Sequence, residues 1–146
     1  MKLIGEIIEG RSLVHAEPSD NVRDVARTMS DRNVGAIAVL DGGTLVGIFS
    51  ERDMLTRIVA EGRDPDNTRV DNVMTRDLIV AGPGDDINDA LQKMHACNCR
   101  HLPVVHKGNL VGMISIRDLL KVDDDANRAR VTFLRELVTY SPDYET

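Results

Sequence analysis

The chain has 146 residues, with 18 Lys and Arg against 24 Asp and Glu, and a formal charge of −6. A hydrophobic share of 42% beside 29% charged residues is that of a soluble globular chain, and the acidic balance argues against coating nucleic acid, whose phosphates demand a cationic surface. The aromatics Phe49, Phe133, Tyr140 and Tyr144 offer little for base stacking, no apolar run approaches a membrane span of roughly 18 residues, and the N-terminus lacks the order of a secretion signal, so a cytoplasmic location is expected.

In chain order, the apolar stretch Leu13-Val14 precedes a turn at Pro18, and Val22, Val25, Ala26 and Met29 then recur at helical spacing. Ala36 to Leu40 and Leu45 to Phe49 are apolar runs around Asp41-Gly42-Gly43, which predicts a hairpin. A following helix is expected to hold Met54, Leu55, Ile58 and Val59 on one side and to stop at Gly62. The polar stretch from Gly62 to Arg69 reads as a linker. Beyond it the series begins again: Leu78 to Ala81, a helix on Ile87, Ala90, Leu91 and Met94, then Leu102 to Val105 and Leu110 to Ile114 around Lys107-Gly108.

This recurrence is an internal repeat. Shifted by 65 residues, Leu13 to Leu55 matches Leu78 to Leu120 at 16 of 43 positions, among them Pro18/Pro83, Asp24/Asp89, Met29/Met94, Asn33/Asn98 and Gly43/Gly108. A unit of about 60 residues buries too little surface to be comfortably stable alone. The predicted fold is therefore α/β (α+β): two βαββα repeats, residues 1–66 and 67–125, packed sheet to sheet about a pseudo-two-fold axis, with a C-terminal segment over 126–146. In that segment Val131, Leu134, Leu137 and Val138 form one stripe of a helix over Val131 to Tyr140, preceded by the acidic cap Asp123-Asp124-Asp125. Such a helix would cover the core or meet a second chain.

The element that carries chemistry is Gly, two apolar residues, Ser, any residue, Arg, Asp, present as Gly47 to Asp53 and again as Gly112 to Asp118. It falls where a strand ends and a helix begins, and the free N–H groups of a helix start suit an anion such as phosphate. Ser50 and Ser115 can donate to that phosphate, Asp53 and Asp118 can accept from the vicinal diol of a ribose, and Arg52 and Arg117 can add charge. The same Ser and Asp also make a capping box, which satisfies helix N–H groups with no ligand. Capping requires neither the Gly nor the Arg, and both recur.

These paired endings, with Val34-Gly35-Ala36-Ile37, Asp71-Asn72-Val73-Met74-Thr75 and Arg100-His101-Leu102-Pro103-Val104, resemble a tandem pair of CBS domains (the Bateman module, named after cystathionine β-synthase), over roughly residues 3 to 122. The resemblance implies a non-catalytic regulatory module that binds adenosyl ligands (AMP, ADP, ATP, NAD or S-adenosylmethionine) in clefts between the repeats. It implies a homodimer, a disc of four repeats, and an effector protein as partner. The residues it assigns to ligand are Ser50 and Asp53 for one cleft and Ser115 and Asp118 for the other. Gly35, Ala36 and Ile37, or Arg100, His101, Leu102 and Pro103, line the adenine or phosphate pocket, and Val14 and Ile79 wall the base. Arg100 and His101 replace Gly35 and Ala36 between copies, so the two clefts are expected to differ.

Other signals carry less. His95, Cys97, Cys99 and His101 alternate, but metal ligands usually come from two separated segments, and His95 and Cys99 align with Ser30 and Val34, ordinary helix and core positions. A disulfide between Cys97 and Cys99 would close a very small, strained ring, no framework of bridges exists, and Cys99 is expected as a buried, inert thiol in a reducing compartment. Met54, Met74, Met94 and Met113 read as core filler. No Walker loop, nucleophile elbow or His-Glu-x-x-His is present, so an enzyme is not expected. The reading from a different class is a protein-interaction module with no bound nucleotide.

Overall fold

The computed structural model describes residues 2–122 and 135–138. Its order is α1 (Ile4–Ile8), β1 (His15–Ala16), α2 (Val22–Arg32), β2 (Ala36–Asp41), β3 (Thr44–Ser50), α3 (Glu51–Asp53), a π-helical turn (Met54–Val59) and a 3-10 turn (Val70–Asn72). α4 (Ile87–Cys97), β4 (His101–His106), β5 (Asn109–Ser115) and α5 (Ile116–Leu120) follow.

Local chemistry sets the element limits in the same way in both halves. Asn21 and Asp86 cap α2 and α4 by accepting from the N–H groups of Asp24 and Asp89. Asn33 and Asn98, at φ of 54° and 52°, end the two helices in the left-handed conformation that Asn tolerates. The hairpins β2–β3 and β4–β5 turn through Gly42-Gly43 and Lys107-Gly108, all at positive φ, as a two-residue turn matched to strand twist requires. β1 adds to β2 in parallel. The expected first strand of the second repeat, Leu78 to Ala81, is a single bridge, Ala81 to Val104. In the first repeat the strand lies at His15–Ala16, just after the predicted Leu13-Val14.

Each repeat has its own buried cluster, and each cluster borrows a segment from the other half. Ile4 and Ile8 of α1 sit among Ile87, Ala90, Leu102 and Ile114 of the second repeat. Val70, Val73 and Met74 sit among Val22, Ile37, Phe49 and Ile58 of the first. The backbone repeats the exchange: Ile4 N–H donates to the Asp85 carbonyl and Val70 N–H to that of Asp20, both at 2.8 Å. The motif glycines make room for these segments. A Cβ on Gly47 would overlap the Met74 side chain, and one on Gly112 would lie 2.7 Å from Ile8 Cδ1. The recurrence of that Gly, which the sequence suggested was tied to ligand, comes from packing.

Further expectations are revised. Of the stripe Met54, Leu55, Ile58 and Val59, Ile58 is buried and Met54 packs on the core, but Leu55 and Val59 are 61% and 66% exposed. The π-helical backbone, with Ala60 N–H bonded to the Leu55 carbonyl, breaks the regular α spacing that put them on one face. Cys97 and Cys99 form a disulfide instead of standing as thiols. The left-handed Asn98 folds the chain back so that their Cα atoms are 5.3 Å apart, inside the range a disulfide spans. Residues 135–138 are helical, while Val131, Leu134 and the acidic cap Asp123 to Asp125 lie outside the described residues.

Candidate functional site

Both strand-to-helix junctions close into complete capping boxes. Ser50 N–H donates to Asp53 Oδ2 at 3.0 Å, and Asp53 N–H donates to Ser50 Oγ at 3.2 Å. The Ser115 and Asp118 pair repeats this at 2.8 and 3.1 Å. Each serine hydroxyl, as acceptor, keeps its own proton to donate, so capping and ligand binding are compatible. Only one regular turn follows each junction, so the helix dipole is small and charge must come from side chains.

Two clefts open between the repeats, of about 460 and 440 Å³, within the range of small-molecule sites. Each combines the junction of one repeat with strand residues of the other. The first brings Ser115, Arg117 and Asp118 opposite Val14, Gly35 and Ala36. The second brings Ser50, Arg52 and Asp53 opposite Ile79 and Pro103. Arg100, His101, Gly35 and Glu51 border both. Two predicted residues face elsewhere: Ile37 and Leu102 are 1% and 0% exposed, each inside its repeat's core. The alternation of a strand explains the correction, since Ala36 and Ala38, or His101 and Pro103, look into a cleft and the residues between them cannot.

The carboxylates differ in surroundings. Asp53 is 8% exposed and has Arg57 Nε at 3.7 Å from Oδ1. Asp118 meets Arg11 Nη1 at 3.0 Å, an arginine carried in by the loop after α1. Burial pushes the Asp118 carboxyl up, but the bond from Arg11, the Ser115 N–H and hydroxyl, and the Arg11 charge outweigh it and leave the carboxyl below its usual range. His101 packs against Gly35, where a Cβ would come within 3.1 Å of its Nε2. Burial lowers the His101 pKa most; Glu51 and Asp118 oppose that, Arg100 and Arg117 add to it, and the ring titrates below its ordinary value.

Arg11, Glu51, Arg57, Asp77 and Lys121 line the clefts without having been singled out in the sequence. Glu51 had a signal, since it replaces Ile116 inside an otherwise repeated motif. Arg11 had none, because it lies before the aligned region. Among the described residues no group of His, Cys, Asp and Glu could hold a metal, and no helix is long and apolar enough to cross a membrane.

The CBS domain family model matches residues 4–60 and again 70–125. The CBS domain-containing protein YhcV of Bacillus subtilis is 38% identical over 102 residues, 70% of this chain and 72% of that one. The mitochondrial CBS domain-containing protein CBSX3 of Arabidopsis thaliana is 35% identical over 126 residues, 83% of this chain and 61% of that one. Among solved structures, the CBS domain protein PAE2072 from Pyrobaculum aerophilum, complexed with AMP, superposes with a TM-score of 0.76 at 30% identity, covering 90% of this chain and 98% of that one. The CBS-domain containing protein ATU1752 from Agrobacterium tumefaciens gives 0.76 at 28% identity, covering 82% and 98%. Two matched repeats, their reciprocal packing and these relatives place the chain in the CBS-domain family, as a tandem pair.

Proposed function

We propose that the protein is a non-catalytic sensor that binds an adenine nucleotide or related adenosyl ligand (AMP, ATP, NAD or S-adenosylmethionine) between its repeats. One observation carries the reading: each cleft sets a Ser-x-x-Asp junction of one repeat against an apolar residue of the other, Val14 or Ile79, with arginines beside it. An apolar wall for a flat base, a carboxylate for a diol and cations for phosphate are the parts a nucleotide needs. The AMP complex of a relative 30% identical to this chain supports it. Arg100 and His101 are assigned to phosphate. Ligand spanning the cleft stabilises one relative orientation of the repeats, by no more than its differential affinity for the two orientations. The same reading has two chains associate into a disc of four repeats and signal to an effector protein, and the exposed Leu55 and Val59 support such an association.

The second reading, an interaction module without nucleotide, draws on the completed capping boxes, which satisfy Ser and Asp with no ligand. Thermal-shift titration separates the two, because a ligand at 100 times its Kd adds about 2.7 kcal/mol to the folded state. Mass spectrometry of small molecules released from freshly purified protein identifies the ligand. Failure of millimolar adenosyl compounds to raise the melting temperature leaves the second reading standing.

A further inference from the structure

The charges of the two clefts are arranged differently. In the Ser50 cleft two of the three arginines are tied to main chain: Arg52 donates to the Asn98 carbonyl at 3.2 Å and Arg57, which also pairs with Asp53, to that of Val73 at 2.8 Å, while Arg100 borders both clefts. Carboxylates match its cations, with Asp77 beside Glu51 and Asp53. The wall of the Ser115 cleft instead carries Arg11, Arg100, Arg117 and Lys121 against Glu51 and Asp118. Among the described residues the side chains of Arg100, Arg117 and Lys121 have no hydrogen bond or ion pair, and Arg11 has only Asp118.

We propose that the Ser115 cleft is the site for a nucleoside polyphosphate, and that Arg11 determines this specificity. Arg11 holds Asp118 until ribose hydroxyls take that carboxylate, then turns to the terminal phosphates beside Arg117 and Lys121. The inference rests on the adenosyl-ligand reading above and deepens it. An excess of cations in a concave site does little for an uncharged nucleoside and attracts a triphosphate most strongly. The exchange replaces one ion pair by another and adds the ribose bonds. The Ser50 cleft, where Arg52, Arg57 and Arg100 are balanced by Glu51, Asp53 and Asp77, favours a ligand of lower charge.

Isothermal titration calorimetry of the full chain with adenosine, AMP, ADP and ATP tests this, repeated on Arg11→Ala, Arg11→Lys and, as a control cation outside both clefts, Arg27→Ala. Affinity is expected to rise from adenosine to ATP. Arg11→Ala weakens ATP about tenfold or more and leaves adenosine unchanged or tighter, since Asp118 is released. Arg11→Lys recovers much of the loss, and Arg27→Ala changes nothing beyond about twofold. Arg11 is 45% exposed on its side chain, so its replacement does not threaten the fold. ATP binding no tighter than adenosine, or Arg11→Ala weakening both alike, overturns the assignment while leaving the nucleotide reading in place. Absence of heat from all four compounds overturns both.

Discussion

The Ser50 and Ser115 clefts are copies at the level of backbone and capping chemistry, with matching hydrogen bonds within 0.2 Å of one another. They part company in what surrounds the copied atoms. Around Asp53 the nearby arginines bond carbonyls, with Arg57 Nε 3.7 Å from the carboxylate; around Asp118 Arg11 pairs more closely, at 3.0 Å, and other cations stand unpartnered among the described residues. Duplication preserves what the backbone needs, a helix start and room for a crossing segment, and leaves charge at the rim free to diverge. Between the clefts stand His101 and Gly35, which border both, and the wall breaks the repeat because Arg100 and His101 stand where the first copy has Gly35 and Ala36.

The largest expected effect comes from the exchanged segments that support the clefts. Ile4→Ala should cost about 3 kcal/mol in chemical denaturation and Val70→Ala about 2, both residues being 0% exposed. Ile4 anchors the segment that delivers Arg11, so Ile4→Ala should also weaken ATP, whereas Val70→Ala should not. Next, Asp118→Ala should lower ATP affinity about a hundredfold and Asp53→Ala only a few-fold, by calorimetry. Equal losses would erase the distinction between the clefts.

Acid sharpens the comparison further. Asp118 titrates below its unfolded value, so the stability it contributes is present above the ordinary carboxylate range and lost as pH falls through its folded pKa. Arg11→Ala removes a lowering contribution and should shift acid unfolding to higher pH. His101 is held toward its neutral form by burial, with Arg100 and Arg117 adding to that and Glu51 and Asp118 opposing it, so stability should fall as pH drops below its ordinary value of 6.5. Phosphate placed beside that ring should make it take up a proton, measurable as a buffer-dependent binding enthalpy. The smallest effect belongs to the disulfide. Cys97→Ser with Cys99→Ser opens only a three-residue loop and should cost no more than about 2 kcal/mol. Because the pair lines the Ser50 cleft, ATP binding at the Ser115 cleft should be untouched.

The repeat, the hairpins and the two capped helices were legible because their signals are local: Asn21 and Asp86 at helix starts, Gly42-Gly43 and Lys107-Gly108 at turns, apolar residues at the period of the element they build. Ser50, Asp53, Ser115 and Asp118 were legible because a short motif recurs with its spacing intact. Ile37 and Leu102 were assigned to the clefts because a stretch was read as a block, when a strand sends alternate residues to opposite faces. The Cys97–Cys99 bond was read from spacing alone as too strained, yet across the turn at Asn98 the two Cα atoms stand 5.3 Å apart.

What residue order settled by itself is the doubled unit and the atoms at its junctions, since both follow from neighbours a few positions apart. Only the folded chain decided that α1 and the 70–74 segment change places, that the motif glycines serve that crossing, and that Arg11 reaches Asp118 from more than a hundred positions away. Those outcomes arise from side chains filling space between the two halves, and no local pattern encodes a contact made across such a distance.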